Sequence, residues 1–264
     1  MATGTPRTPP SHLDLLEDGI VDQSIRLTTL LIRVLLLGAH TQYQPLRAWA
    51  LRELKGYQDD ESFELLPRYR RIPVLFQGTL RNRVSRGTGT LSVLELPDNE
   101  KMRAYIGDVV RNGLMIPDGI GKIESLVATA PADGAMTLAV RGGAELAVLM
   151  TVKRRERDGA WVENVYWAFH VSDLQDLLDQ VRTRLAEFVA ELRLIMPRET
   201  TDPTTDQVEA AFQSINIRVG DNSPVTVHAP AAYAGAGTTA SAVSSSPETT
   251  AASGPSGDEK GRRR

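Results

Sequence analysis

Residues 161–195 read WVENVYWAFHVSDLQDLLDQVRTRLAEFVAELRLI, and the change of period inside this stretch decides the fold class. From Trp161 to Phe169 aromatic and β-branched residues mark a strand. Behind it Leu174, Leu177, Leu178, Val181, Leu185, Phe188, Val189, Leu192 and Ile195 recur at helical spacing and form one apolar stripe. Ser172-Asp173-Leu174-Gln175 has the capping-box pattern and sets the helix start, and Pro197 sets its end.

Upstream, residues 146–152 are a continuous apolar run, separated from the Trp161 strand by a charged turn containing Asp158-Gly159. That dipeptide adopts the positive φ values of hairpin turns, so the two runs are expected to form an antiparallel hairpin with Arg154, Arg155 and Arg157 near its exposed end. Ile72, Val74, Leu75 and Phe76 form a further expected strand, and residues 87–90 a Gly/Thr loop leading into a strand over 91–96. Between residues 97 and 132 the periodicity is weak: a helix is expected over 101–111, and Gly119-Ile120-Gly121-Lys122 is read as a turn.

The N-terminal part is helical in texture. Leu13, Leu16 and Ile20, then Ile25, Leu27, Leu30, Leu31, Val34, Leu35 and Leu37, predict a short helix followed by a long one, with Asp22 as N-cap of the second and Gly38 as its stop. A third helix begins near Pro45, carries Leu46, Trp49, Ala50 and Leu54 on one face, and ends at Gly56. The fold class is therefore α+β: an N-terminal helical subdomain, a small antiparallel sheet, a long C-terminal amphipathic helix and a disordered tail. In domain terms this is a loose arm over 1–11, the α+β domain over 12–197, a linker with a short helix and a strand-turn-strand over 198–228, and a low-complexity tail over 229–264 whose Ala/Ser/Thr/Gly/Pro composition buries too little apolar surface to order the chain.

Composition removes several function classes. The chain has 264 residues and no cysteine, so disulfides, thiolate nucleophiles and cysteine-ligated metals are excluded, and a cytoplasmic location fits. The formal net charge of −3 gives no general reason to expect nucleic acid as a partner. Arg81, Arg83, Arg86 and the run from Lys153 to Arg157 read as a solvated face. The most apolar stretch, 27–37, is interrupted by Arg33 and is about half the length of roughly 20 residues that crosses a bilayer, so no membrane span is expected. His12, His40, His170 and His228 have no ligand-spaced neighbours, and no phosphate loop, dinucleotide fingerprint or nucleophile elbow is present. The expectations are no metal, no cofactor and no recognisable catalytic residue.

One cluster stands out. Trp49, Glu53, Gly56 and Tyr57 are followed by Pro67, Arg68, Tyr69 and Arg70, crowding aromatics, a carboxylate and arginines at a helix end. Two readings of it stand. In one, Trp49 and Tyr57 pack the domain while Glu53 pairs with Arg68 or Arg70. In the other, the arginines and tyrosines form a polar pocket for a phosphate-bearing or nucleotide ligand. A second candidate is the alternation of residues 214–219 and 225–228 around Gly220-Asp221-Asn222-Ser223-Pro224, a strand-turn-strand in which Ile215, Ile217, Val219, Val225 and Val227 would offer an assembly edge.

The run Trp49-Ala-Leu-Arg-Glu53-Leu54-Lys-Gly56-Tyr57, then Leu66-Pro67-Arg-Tyr69-Arg70, resembles the signature of the AbiTii family of abortive-infection proteins. Leu178-Asp-Gln-Val181-Arg182-Thr-Arg-Leu185 is similar to that family as well, so that the resemblance spans residues 13–195. It implies a role in bacterial anti-phage defence, either as a toxic effector or as a module of a larger system that binds a protein partner or self-associates. A nucleotide- or RNA-directed enzyme or sensor built around the cluster is the alternative, and a structural protein sharing only the fold is the third reading.

Overall fold

The computed structural model describes residues 10–57, 66–157, 159–197, 200 and 202–215. Among them run eight α-helices: α1 (His12–Val21), α2 (Leu27–His40), α3 (Gln44–Lys55), α4 (Glu100–Asn112), α5 (Ile120–Ala128), α6 (Gly143–Arg157), α7 (Val171–Ile195) and α8 (Thr205–Ser214). Six strands are interspersed: β1 (Arg71–Ile72), β2 (Leu75–Arg81), β3 (Arg86–Thr90), β4 (Leu114–Met115), β5 (Ala135–Ala139) and β6 (Trp161–His170). The fold is α+β.

The main sheet is antiparallel with strand order β3-β2-β6-β5, and β1 pairs with β4 in a separate two-stranded ladder. In the central pair Phe76 lies opposite Trp167, and the two rings meet at 5.3 Å on one face of the sheet. Phe76, Val165 and Trp167 on that face are buried, whereas Leu75, one residue away on the other face, is 56% exposed. The sheet is thus covered on one side, the pattern expected of an antiparallel sheet with a period of two. Gly78 leaves the space that Leu91 fills: a Cβ there would lie 2.8 Å from Leu91 Cδ1.

Helix α7 is the spine. Its stripe of Leu174, Leu177, Val181, Leu185, Phe188, Val189 and Leu192 is buried. Its N-cap is His170 rather than Ser172: Asp173 Oδ2 accepts from the His170 N–H at 2.8 Å, and the Ser172 N–H donates to His170 Nδ1 at 3.2 Å. The capping box therefore begins two residues before the pattern in the sequence, because β6 runs straight into the helix with no loop between. Helix α3 agrees with expectation, with Leu46, Trp49 and Ala50 buried, Leu54 packed at the edge and Gly56 as its C-cap.

Several local expectations are corrected. Residues 146–152 are helical, inside α6, and do not pair with β6; the partners of β6 are β2 and β5. A continuous apolar run carries no period that separates helix from strand. Here Leu146, Ala147 and Met150 turn inward onto the sheet while Val148, Leu149 and Val152 remain exposed, and the basic last turn of Arg154, Arg155 and Arg157 complements the helix dipole. Residues 87–90 are strand, not loop, and 91–96 hold a single 3-10 turn at Val93–Glu95 instead of a strand. Residues 119–122 open helix α5 rather than forming a free turn.

At the N-terminus Asp22 is the C-cap of α1, its side chain accepting from Ser24 N–H at 2.9 Å, and α2 starts five residues later. Its N-cap, Arg26, makes no side-chain capping bond; Glu124 on α5 accepts from Leu27 N–H at 2.7 Å and from the Thr28 hydroxyl, capping the helix from 97 residues away. Gly38 lies within α2, where it admits the backbone of Arg47 from α3, and the helix continues to His40. Ile215, expected in a strand, is the C-cap of α8, donating its N–H to Ala211 O at 3.4 Å and packing against the core. Ile217, Val219, Val225 and Val227, with the tail beyond them, lie outside the described residues.

Candidate functional site

Trp49, Glu53 and Tyr57 are four apart, so helix α3 and its C-cap bring all three to one face. Pro67 precedes a 3-10 turn at Arg68–Arg70, and its carbonyl accepts the Arg70 N–H at 3.0 Å. That turn points Tyr69 and Arg70 back at the end of α3, leaving Arg68 on the exposed side.

Glu53 is the centre of the resulting knot. Its Oε1 accepts from the hydroxyls of Tyr57 and Tyr69, each at 2.7 Å, and its Oε2 accepts from Arg70 Nη2. Tyr69 in turn accepts from Trp49 Nε1 at 3.2 Å. Arg70 Nη1 donates to the carbonyl of Asp118 at 2.5 Å, and its guanidinium lies 5.2 Å from the Tyr57 ring centre. From α7, the Arg184 guanidinium stacks on the other aromatic, 4.2 Å from the Tyr69 ring centre. Of the two arginines weighed for Glu53, the structure selects Arg70.

The backbone closes the knot. Gly56 adopts φ +93°, and a Cβ there would lie 2.5 Å from Pro117 O. Gly119 is as tightly placed against Leu54 O. These two glycines let the end of α3 touch the 116–119 segment directly, where Tyr57 N–H donates to Pro117 O at 2.7 Å and Ile116 N–H to Arg70 O at 2.8 Å.

Burial determines what this arrangement can do. Trp49, Glu53, Tyr57 and Arg70 are 0% exposed and Tyr69 is 7% exposed. Burial, reinforced by the Glu53 charge, pushes both tyrosine hydroxyls far above the usual phenol range, so they stay protonated donors. Although burial acts against its charge, the Glu53 carboxylate holds Arg70 more firmly protonated than a free arginine. The charges are compensated, and the donors point at the Glu53 carboxylate and at backbone carbonyls; Arg70 Nε is buried without a hydrogen-bond partner among the described residues.

Several basic residues outside the knot are also engaged. Arg86 and Arg81 meet Glu163 at 2.6 and 3.6 Å, while Arg154 and Arg157 meet Glu95 at 2.7 and 3.2 Å. Arg155 lies over the Trp161 ring at 5.7 Å. Arg182, within the second family-like run, donates to the carbonyls of Ile20 at 3.1 Å and Ile25 at 2.7 Å, tying α7 to the α1–α2 connection. Sequence reading missed this latch, and it missed Arg184. An arginine on the flank of an otherwise apolar stripe was the available signal.

The class these features define is an α+β protein whose most distinctive residues form a sealed polar knot at a three-way junction. A family model described as AbiTii matches residues 12–216, most of the chain, and the chain belongs to the AbiTii family. Membership connects it with abortive-infection defence. Neither the curated proteins nor the solved structures contain a match to it.

Proposed function

We propose that this chain is an abortive-infection module that works without catalysis of its own, as an effector or interaction domain that engages a protein partner or another copy of itself inside the infected bacterial cell. The observation that carries this reading is the burial of the family-signature residues: a carboxylate and a guanidinium at 0% exposure, bonded to each other and to two tyrosines held protonated, offer no surface to a substrate. In this reading Trp49, Glu53, Gly56, Tyr57, Pro67, Tyr69 and Arg70 are kept for architecture. They set the angle between α3, the 3-10 turn and α5, and the exposed surface of the domain does the work.

The test separates architecture from chemistry. Phage plaque formation and host-cell survival are compared for the intact protein, the Tyr57→Phe/Tyr69→Phe double variant, and surface variants of equal stability. Protection that follows the folded fraction of the double variant supports the proposal. Protection abolished in a double variant that is fully folded would show that the phenols have a chemical task and would favour the nucleotide- or RNA-directed alternative.

A further inference from the structure

We infer that the outer edge of β5 is a self-association surface, which pairs antiparallel with β5 of a second copy about a two-fold axis at Thr137. The inference names a partner for the interaction role proposed above and rests on that reading only for its biological use.

The register shows which backbone groups point outward. Val171 N–H donates to Gly134 O at 2.8 Å, which makes Ala135 and His170 a non-hydrogen-bonded pair. By alternation, Met136 and Leu138 direct their N–H and C=O groups to β6, whereas those of Ala135, Thr137 and Ala139 point away from the sheet. β5 ends the strand order, and among the described residues no strand lies on that side. Ala135, Thr137 and Ala139 are all exposed.

The two edges of the sheet differ in protection. β3, at the opposite edge, is Arg-Gly-Thr-Gly-Thr, with two glycines that weaken pairing and an arginine at its start. β5 is Ala-Met-Thr-Leu-Ala, with no charge, proline, glycine or bulge. An edge of this kind is a template for another strand.

The flanking charges select the partner and its direction. With Thr137 opposite its own copy, Ala135 faces Ala139, Met136 faces Leu138, and Asp133 falls opposite Arg141 at both ends. A parallel pairing would set Asp133 beside Asp133 and Arg141 beside Arg141. The antiparallel register therefore turns both ends into opposite-charge pairs, while Leu138, 48% exposed in the single chain, gains the apolar neighbour Met136 from the other copy. The small side chains of Ala135, Thr137 and Ala139 raise no steric obstacle on the other face. Asp133 Oδ1, which accepts from Ala135 N–H at 3.1 Å, would release that donor to the Ala139 carbonyl opposite and turn to Arg141. A strand pair of this length gives a small interface, so the dimer belongs to the weaker class, with dissociation in the micromolar range of about 1–100 µM.

Sedimentation velocity of the full chain over about 1–100 µM tests this directly. The expected result is a concentration-dependent species of twice the 28.9 kDa chain mass. Thr137→Pro removes an outward N–H without touching a bond to β6 and should abolish that species, whereas Thr88→Pro, the matched change on β3, should not. Arg141→Asp should weaken association roughly tenfold, and the exchange Asp133→Arg/Arg141→Asp should restore it. Circular dichroism reports folding throughout, and the charge exchange keeps the inference testable if Thr137→Pro unfolds. A chain that stays monomeric over the whole range, or a dimer that neither Thr137→Pro nor Arg141→Asp disturbs, overturns it. A dimer with these sensitivities in a protein that gives no phage protection removes the defence reading alone, whereas protection by a monomer removes this inference alone.

Discussion

Glu53 with Arg70 and Glu163 with Arg86 are the same two side chains in opposite settings. The inner pair is 0% exposed on both sides; in the outer pair, closed at 2.6 Å, Glu163 is 26% and Arg86 68% exposed. The inner carboxylate also holds two buried tyrosine hydroxyls, and its arginine reaches the Asp118 carbonyl, so the pair ties together three segments of chain: the end of α3, the 3-10 turn and residues 116–118. The outer carboxylate has two arginines and remains partly exposed. A desolvated charge that loses its counter-charge is strongly destabilised, whereas solvated ones exchange partners at little cost. On the function proposed above, the signature residues are specified by folding and the surface residues by whatever they meet.

The comparison breaks most sharply at Glu53. Glu53→Gln leaves the Arg70 charge buried and uncompensated, and should cost about 3–5 kcal/mol in urea unfolding. Glu53→Gln/Arg70→Met, which removes both charges, should recover a substantial part of it. A Glu53→Gln protein as stable as the parent would collapse the distinction between inner and outer pairs.

A titration sharpens the same point. Because the pKa values of Tyr57 and Tyr69 are raised in the folded state above the ordinary value of 10.0, the folded protein keeps protons that the unfolded chain loses. Their contribution to stability is complete below pH 10 and declines as the pH rises beyond it. Ultraviolet titration should show that Tyr57 and Tyr69 ionise only when the protein unfolds. Phenolate formation at these two positions in the native state near pH 10 would mean that the knot is open to water. The smallest effect belongs to the outer pair: Arg86→Ala should change stability by less than about 0.5 kcal/mol, and a loss above about 2 kcal/mol would show that exposure does not separate the two.

How much could be read beforehand followed how local the cause was. The α7 stripe and the α3 face with its glycine stop were legible, because a helical period is written in neighbouring residues. The motif cluster was legible as a group, and the choice of Glu53 as a pairing residue came from its company of arginines. The identity of α6 was not legible, since Leu146 to Val152 is apolar without a break and acquires a direction only when β6 provides a surface for Leu146, Ala147 and Met150. The edge position of β5 was equally hidden: Ala135–Ala139 drew no strand assignment, and its free side exists only because β6 occupies the other.

By itself, the sequence determined the fold class, the spine helix and the family, because periodicity, glycine placement and motif spacing act over short stretches of chain. Tertiary structure alone decided that Glu53 meets Arg70 and not Arg68, that Glu124 caps α2 from 97 residues away, and that β3 and β5 are the two edges of the main sheet. Each of those depends on which distant segments come together and on how much water their meeting excludes. Burial is a property of the assembled chain and of no residue within it.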